Sequence, residues 1–408
     1  MSAGTPAASI LILDGGAMSS LAFIRSLGAA GVRVRVAASS PDAIGRYSRF
    51  CARFDTYPSP LDDREAFGQW LRDTLAHDPP DVLLGCTDAT IPLLMEWREA
   101  LSRHCLVPLP PAEGFAMAFD KGRTLEVARQ VGVHVPAEWN ATDADAVAQV
   151  VARDRWPVVV KPRSSVEGQG DVRVATGVTY AFNAGELAQQ VQRASATGRA
   201  PLVQEYIHGA GVGCFYLFHG GEVVARFQHR RLRDKNPLGS GSCLRVSVPL
   251  DPALVDGGER LLRAMGWEGL AMVEYRQDSQ GVGWLMEINP RPWGSMQLAV
   301  EAGVDFPLLW WQCVTGREVE SPRPYRVGLQ CRYLVGDFSH LEAVLRGRPK
   351  GWRLDFPGRA RTVRDFLRFS GDDVRYDDFA ADDPSPGWHA VRRHLSEVVR
   401  RLAGRLAR

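Results

Sequence analysis

The stretch Glu287-Ile288-Asn289-Pro290-Arg291 decides the fold of this 408-residue chain. It ends an apolar segment that begins at Trp284, and a turn around residues 278–281 separates it from an earlier apolar segment that carries Glu274. Two such segments joined by a short turn predict a β-hairpin, which brings Glu274 opposite Glu287. Facing carboxylates repel each other unless a cation or a proton neutralises them, and Mg²⁺ prefers carboxylate and amide oxygens. The stretch therefore predicts a metal site formed by Glu274, Glu287 and Asn289.

Arg291 directly follows these predicted ligands. Its planar guanidinium suits a bidentate bond to a phosphate or a carboxylate. A hairpin with a polar end and ordinary salt bridges is the structural alternative, and for Glu274 taken alone that alternative is the better one. We expect Glu287→Gln to abolish turnover with little loss of folding, because it removes a metal ligand and keeps the shape of the side chain.

Upstream, Lys161 ends the apolar run of residues 157–160 and precedes a loop of small residues. A lysine at a strand end can hold phosphate oxygens while backbone N–H groups of the loop cover them. The candidate loop residues are Ser164, Ser165, Gly168 and Gly170. No Gly-Lys-Ser or Gly-Lys-Thr follows, so this is not a Walker A loop, and a plain β-hairpin turn is the alternative.

A further apolar strand, residues 201–207, carries polar side chains that suit the edge of a purine. The candidates are Gln204, Glu205, Tyr206 and Ile207. An ordinary half-buried strand explains the same pattern. Lysine is rare in this chain, at four of 49 basic residues, and two of the four, Lys121 and Lys161, fall inside these motifs.

The N-terminal region alternates short apolar strands with helical patterns, which predicts a parallel α/β sheet. Loops at Asp14 to Ser19 and at Thr87-Asp88 follow two of its strands, at the edge where ligands usually bind. Turn and capping roles are equally good interpretations of these loop residues. The first glycine turn does not match G-x-G-x-x-G, which disfavours a nicotinamide site. From Trp156 onward, short β-like runs predict an α+β domain with mainly antiparallel strands.

Taken in order, these motifs resemble the ATP-grasp superfamily, the fold of D-alanine–D-alanine ligase, biotin carboxylase and the large chain of carbamoyl-phosphate synthetase. Asp120-Lys121-Gly122-Arg123 resembles its first lysine segment, and Lys161 with its loop resembles the second. The resemblance covers about residues 9–315. It implies a Rossmann-like pre-ATP-grasp α/β domain at 1–110, an ATP-grasp α+β domain at 111–315 and a C-terminal extension at 316–408.

Carried over residue by residue, the resemblance implies that Lys121 and Lys161 contact ATP phosphates. Gln204, Glu205, Tyr206 and Ile207 would line the adenine, and Glu274, Glu287 and Asn289 would bind Mg²⁺, with Mn²⁺ as a substitute. Arg291, Arg231 and Lys161 would act at the phosphoryl group. The implied reaction converts a carboxylate to an acylphosphate, which an amine or related nitrogen nucleophile then captures, with release of ADP and phosphate. The usual ribose-binding acid after the adenine strand is missing, since Gly209-Ala210-Gly211 stands there.

Two other functions stay open from the sequence. One is a carboxylase-like or kinase-like ATP-grasp enzyme, and the other is a non-catalytic nucleotide-binding or membrane-associated module. The second draws on residues 388–408, where a basic amphipathic pattern suits either an anionic membrane or, by preference, a surface helix packed on the protein body.

Composition bounds the remaining possibilities. A net charge of +2 from 49 basic and 47 acidic residues gives no global field for nucleic acid. The resemblance to ATP-grasp enzymes implies small-molecule carboxylate and amine substrates as partners. Seven scattered cysteines without a C-x-x-C spacing argue against a disulfide framework and a zinc site. The absence of a long apolar run or signal-like start predicts a cytoplasmic protein. A homo-oligomeric assembly is left open.

Overall fold

The structure, a computed structural model, describes residues 8–141, 144–153, 155–164, 166–169, 172–175, 177–195, 200–239, 241–319 and 324–406. The bounds of its helices and strands follow in chain order.

The N-terminal part is a parallel sheet with helices packed on it. Its strands are β1 (Ser9–Ile12), β2 (Arg33–Ala38), β3 (Cys51–Thr56) and β4 (Val82–Leu84), in the sheet order β3-β2-β1-β4. Its helices are α1 (Met18–Ala29), α2 (Arg64–His77) and α3 (Ile91–Leu101), with a 3₁₀ turn at Ile44–Tyr47. Strands β1 and β4 are apolar and mostly buried, as parallel strands covered by helices must be. Because they are neighbours and run in parallel, the loops that follow them lie side by side.

A small antiparallel sheet comes next, after helices α4 (Ala112–Phe119) and α5 (Lys121–Gln130). The strands of this region are β5 (Glu138–Asn140), β6 (Val158–Lys161), β7 (Val166–Gln169), β8 (Val172–Ala175), β9 (Thr179–Ala181) and β10 (Leu202–Glu205). The sheet has the order β5-β10-β6-β9, while β7 and β8 form a separate hairpin. Helices α6 (Ala144–Ala152) and α7 (Ala184–Ser195) belong to the same region.

A larger sheet forms the centre of the molecule, in the order β15-β14-β11-β12-β13-β16-β17. Its strands are β11 (Ala210–His219), β12 (Glu222–Asp234), β13 (Ser242–Ser247), β14 (Gly269–Gln277), β15 (Gly283–Asn289), β16 (Gln330–Arg332) and β17 (Val374–Tyr376). The accompanying helices are α8 (Pro252–Ala264), α9 (Met296–Ala302), α10 (Phe306–Val314), α11 (Leu334–Arg346), α12 (Arg359–Phe366) and α13 (Ser385–Leu406). Strands β16 and β17 extend this sheet from within the segment assigned to the C-terminal extension, so that segment packs directly beside the central strands.

The two faces of the central sheet bury different cores. Alternate residues of β11 separate them: Phe215 and Leu217 face one way, while Cys214 and Tyr216 face the other. The first face packs against helices α9 and α10 and the N-terminal sheet. The second packs against helices α5 and α8. Near the strand ends, the first face is not covered by helices and becomes the floor of a cleft.

The C-terminal helix packs on the protein body, but not through its long apolar stripe. His389 stacks on Tyr47 with ring centroids 3.6 Å apart, and Ala390 and His394 are buried. Leu395 and Val399 belong to the apolar stripe of the amphipathic pattern over residues 388–408, and they are 50% and 63% exposed. The apolar stripe is therefore not the face through which the helix packs, and the contacts come from a neighbouring face that carries Ala390 and His394. Among the described helices, none combines the length and apolarity needed to cross a membrane.

Candidate active site

A cleft of about 780 Å³ lies between the N-terminal loops, the small sheet and the central sheet. It gathers most of the residues singled out by the sequence: Lys121, Lys161, Gln204, Glu205, Tyr206, Ile207, Arg231, Glu274, Glu287, Asn289 and Arg291. Ser164 is buried but is not among the lining residues. Ser165 and Gly170 lie outside the described residues, and Gly168 is described only as part of the backbone of β7. The cleft brings these segments together, and their binding roles stay predictions.

The predicted hairpin of acidic residues is confirmed. Strands β14 and β15 pair in an antiparallel register that places Glu274 directly opposite Glu287. Each carboxylate has a cation beside it: Lys121 Nζ lies 3.2 Å from Glu287 Oε2, and Arg231 Nη2 lies 2.5 Å from Glu274 Oε2. Mutual repulsion of the two acids is therefore offset by side chains from α5 and β12.

The two carboxyls differ in proton affinity. Burial raises the pKa of Glu274, and the charge of Arg231 offsets this only in part. Burial acts in the same direction on Glu287, but the charges of Lys121 and Lys161 outweigh it and lower the pKa of that carboxyl to about 2. Glu287 is consequently firmly ionised at neutral pH, whereas Glu274 holds a proton more readily.

Local structure explains where the two lysines point. Asp120 caps α5, since its Oδ1 accepts from the backbone N–H groups of Gly122 at 2.9 Å and Arg123 at 3.2 Å. That cap fixes Lys121 at the first position of the helix. Lys161 ends β6 and donates from Nζ to the carbonyl oxygen of Met286 at 3.0 Å.

Lys161 is a weakened base in this setting. Burial lowers the pKa of its ammonium group to about 8, although the charge of Glu287 acts in the opposite direction. Lysines that are desolvated beside another cation lose their proton more easily, and a bound anion reverses that effect. A phosphate bound beside Lys161 would therefore raise the pKa of its ammonium group and stabilise its charged form.

Arg291 joins the hairpin of β14 and β15 to the loop after β4 of the N-terminal sheet. Its Nε donates to Asp88 Oδ1 at 2.7 Å, and its Nη2 donates to Asn289 Oδ1 at 3.0 Å. Asp88 stands in the loop after β4 and lines the cleft, so it holds the guanidinium over the acids. Movement of the N-terminal loops relative to the central sheet would therefore shift the guanidinium of Arg291, because Asp88 lies in one of those loops.

Gln204 provides a test of whether a nucleotide fits. Its side chain is 2% exposed, yet within the described part of the chain its Nε2 has no hydrogen-bond partner. A buried donor without an acceptor costs free energy, on the order of 1–3 kcal/mol. Gln204 lines the cleft beside Glu205, Tyr206 and Ile207, so a ligand with an acceptor at this position would relieve that cost.

Comparisons with known proteins agree with this geometry. Residues 198–336 match the family model described as "ATP-grasp in the biosynthetic pathway with Ter operon". Over 215 residues the chain is 31% identical to the D-alanine–D-alanine ligase of Gloeobacter violaceus, covering 48% of this chain and 67% of that ligase. The chain belongs to the ATP-grasp superfamily.

Other relatives and solved structures are similar at lower sequence identity. The D-alanine–D-alanine ligase of Pseudomonas putida is 27% identical over 43% of this chain, which spans about half of that enzyme, 56% of its length. A biotin carboxylase from Campylobacter jejuni superposes with a TM-score of 0.64 at 15% identity, covering 79% of this chain and 74% of that one. An L-amino acid ligase from Bacillus licheniformis gives 0.58 at 19% identity, covering 79% and 78%. Such structural likenesses show the fold, and they confirm the predicted fold class.

In this ATP-grasp chain, Asp14 has the turn role that the sequence left open. Its backbone φ of 57° is left-handed, and its carboxylate does not line the cleft. The carboxylate instead accepts hydrogen bonds from Cys86 N at 2.9 Å, Thr90 Oγ1 at 2.6 Å and Tyr57 Oη at 3.0 Å. These bonds tie the loop after β1 to the loop after β4, so Asp14 holds the edge of the cleft in place.

Several cleft residues escaped the sequence-based prediction. They are Lys235, Arg245, Tyr333 and Asp377. With Lys235, three of the four lysines of the chain line the cleft, which extends the signal seen for Lys121 and Lys161. Arg245 carried a signal as well, because it falls on the buried alternation of β13 between Cys243 and Ser247. A charged residue in the buried register of a strand calls for a partner or a ligand.

Proposed function

We propose that this protein is an ATP-dependent ligase that phosphorylates a carboxylate and joins the resulting acylphosphate to an amine, releasing ADP and phosphate. The observation that carries the proposal is the facing pair Glu274 and Glu287 inside a ring of cations from four parts of the fold. Phosphoryl transfer needs this combination of oxygen ligands for a metal and fixed positive charge for the phosphates.

Magnesium fits the donor set. The carboxylates of Glu274 and Glu287 and the amide of Asn289 would be its protein ligands, and no cluster of three or more His, Cys, Asp or Glu side chains suited to a metal occurs in the described residues. Mg²⁺ commonly uses one or two carboxylates and fills its other positions with phosphate oxygens and water. When bound, the metal would supply charge neutralisation and alignment of the phosphates.

The side chains of the cleft divide the remaining work. Lys121 and Lys161 would bind phosphate oxygens, and the segment from Gln204 to Ile207 would hold the adenine. Arg291 and Arg231 flank the acid pair and would stabilise the negative charge that spreads over the acylphosphate and its tetrahedral successor. Because these groups are fixed by ion pairs before substrate arrives, little reorganisation would be needed during the reaction.

The relatives support a ligase over other phosphoryl-transfer enzymes. The 31% identical relative is a D-alanine–D-alanine ligase, and one structural neighbour is an L-amino acid ligase. Both names describe the joining of a carboxylate to an amine. By extension, we infer small-molecule carboxylates and amines as the substrates of this chain.

The test is a coupled measurement of nucleotide and product. Purified protein is incubated with MgATP and pairs from a panel of carboxylates and amines, while ADP, AMP, phosphate and amide products are quantified. We expect ADP and phosphate to appear in equal amounts with an amide product. AMP and pyrophosphate would refute the acylphosphate route, and ADP release that depends on bicarbonate without an amide product would favour a carboxylase-like enzyme.

A matched pair of variants ties the activity to the site. Glu287→Gln removes a metal ligand, so we expect product formation to fall below detection. Glu222→Gln makes the same chemical change at a side chain that is 82% exposed on the same sheet and should retain full activity. Activity of the Glu287 variant equal to that of the Glu222 variant would show that the metal site is misplaced.

A further inference from the structure

We propose that Arg245 forms the floor of a second compartment of the cleft, which binds the carboxylate of an amino acid whose amino group is the nucleophile. The proposal rests on the proposed function and adds to it the chemical class of the amine substrate. It is carried by the position, burial and partners of Arg245.

Strand pairing places Arg245 beside another arginine. In the register of β12 and β13, Arg245 lies directly opposite Arg231. Directly paired residues point to the same face of a sheet with Cβ atoms about 5 Å apart, and like charges at that distance destabilise the pair. An anion that binds near both guanidinium groups removes this repulsion.

Arg245 is also incompletely partnered. It is 1% exposed, and its Nη2 lies 2.7 Å from Asp377 Oδ2 and 3.4 Å from the carbonyl oxygen of Gly294. Among the described residues, its Nε and Nη1 atoms have no hydrogen-bond partner. The Nε and Nη1 groups therefore keep unused, charged N–H donors beside a cleft that the residue lines, and such donors form strong hydrogen bonds with carboxylate oxygens.

The surroundings of Arg245 favour an anion. Lys235 lies at the rim of the same cleft, with its Nζ 5.0 Å from the centre of the Tyr333 ring. Tyr333 and Asp377 directly follow β16 and β17, the strands on the side of β13 away from β14 and β15, and both line the cleft. Arg231 is paired with Glu274 and lies 4.0 Å from Asp234, so Lys235 and the unused N–H groups of Arg245 would be the groups that attract a carboxylate.

The compartment is separate from the metal site. Strand β13 is three strands from β14, in the order β14-β11-β12-β13. At about 4.8 Å per strand, the backbone at Arg245 lies roughly 14 Å from the backbone at Glu274. The carboxylate to be phosphorylated must lie beside the metal site, so a carboxylate held by Arg245 belongs to the other substrate. An amino acid whose carboxylate is held there would present its amino group on the side of Arg231, which faces the acylphosphate.

The first measurement uses the unaltered protein and compares matched amines. Each L-amino acid and D-alanine is offered as the amine, next to its carboxamide and its decarboxylated amine, with MgATP and a panel of carboxylates. We expect kcat/KM for the amino acid to exceed that for its carboxamide by at least about 100-fold. Equal use of the carboxamide or the simple amine would overturn the proposal.

The second measurement uses Arg245→Met and Arg245→Lys, with Arg226→Met as control. Arg226 lies on β12 and pairs with Glu259 outside the cleft. We expect both Arg245 variants to raise KM for the amino acid, by about 100-fold for Met, while KM for ATP and the unfolding midpoint follow the control. An unchanged KM for the amino acid, or a loss of ATP binding and stability in step with it, would assign Arg245 a structural role.

Failure of the ligase proposal is separable from failure of this one. If no carboxylate and amine pair releases ADP, the ligase proposal fails. Calorimetry of the same amino acids with the protein and a non-hydrolysable ATP analogue then tests the compartment alone. Binding that is lost in Arg245→Met but retained in Arg226→Met supports the compartment, and absence of amino-acid binding to the unaltered protein refutes it.

Discussion

From the ion pair between Lys121 and Glu287 we predict that Glu287 contributes to the free energy of unfolding as well as to activity. Burial would raise the pKa of Glu287, but Lys121 and Lys161 lower it from 4.5 to about 2. A difference of about 2.5 between the two pKa values, at ~1.4 kcal/mol for each pKa unit, corresponds to about 3 kcal/mol in favour of the ionised form in the folded protein. Glu287→Gln should lower the free energy of unfolding at pH 7 by about this amount. This revises the expectation of little loss of folding.

The dependence on pH follows from the sign of the shift. The folded-state pKa of Glu287 is below its unfolded value, so the ionised carboxylate stabilises the fold above about pH 4.5. This stabilisation is lost as the pH falls from 4.5 to about 2. Glutamine mimics the protonated acid at every pH. The difference in free energy of unfolding between the two proteins should therefore be largest at neutral pH and should shrink below pH 4.5.

Urea unfolding without nucleotide measures this directly. The chain contains 11 tryptophans, so intrinsic fluorescence reports the transition, and the series is run from pH 7 down to pH 3. Glu222→Gln serves as the control, because its exposed pair with Arg263 should contribute little. Equal stability of Glu287→Gln and the unaltered protein at pH 7 would refute the reasoning, as would a difference that does not change with pH.

Three further predictions concern the ligands and their alignment. The affinity for a non-hydrolysable ATP analogue should fall by up to about tenfold for each pH unit above about 8, because Lys161 with its lowered pKa must regain a proton on binding; in Lys161→Arg, calorimetry should show no such decline. Asp88→Asn should lower kcat by about 10- to 100-fold while KM for ATP stays nearly constant, since it releases Arg291 from its alignment; steady-state kinetics that show a raised KM for ATP alone would contradict this. Gln204→Leu should raise the Kd of ATP about tenfold and reduce the preference for ATP over GTP, and an unchanged preference in competition binding would remove Gln204 from the adenine site.

The parts of the site that could be predicted from the sequence are those fixed by local rules. A short turn between two apolar segments forces the hairpin, and its register then places Glu274 opposite Glu287. Strand β6 positions Lys161, and the cap on α5 positions Lys121, each within a few residues of the signal that reveals it. Resemblance to the ATP-grasp family shows in addition that these separate motifs belong to one site, which local rules alone do not predict.

Other parts depend on contacts between distant segments. The bond from Arg291 to Asp88 spans 203 positions in the chain, and nothing near either residue indicates its partner. Arg245 meets Asp377 because β16 and β17 extend the central sheet beyond β13. The family match ends at residue 336, before Asp377, so resemblance did not reach this side of the cleft either. Strand pairing over such distances is set by the packing of the whole sheet.

Each predicted metal ligand contacts one cation, and the three cations come from three different segments of the chain. Lys121 holds Glu287, Arg231 holds Glu274 and Arg291 holds Asn289. Buried carboxylates need such partners when no metal is bound, since an unpaired buried charge is strongly destabilising. The same cations are the groups that a triphosphate and an acylphosphate require. Under the proposed function, one arrangement of charges would stabilise the protein without nucleotide and position it for the nucleotide, so substitutions at this cluster should affect stability and turnover together.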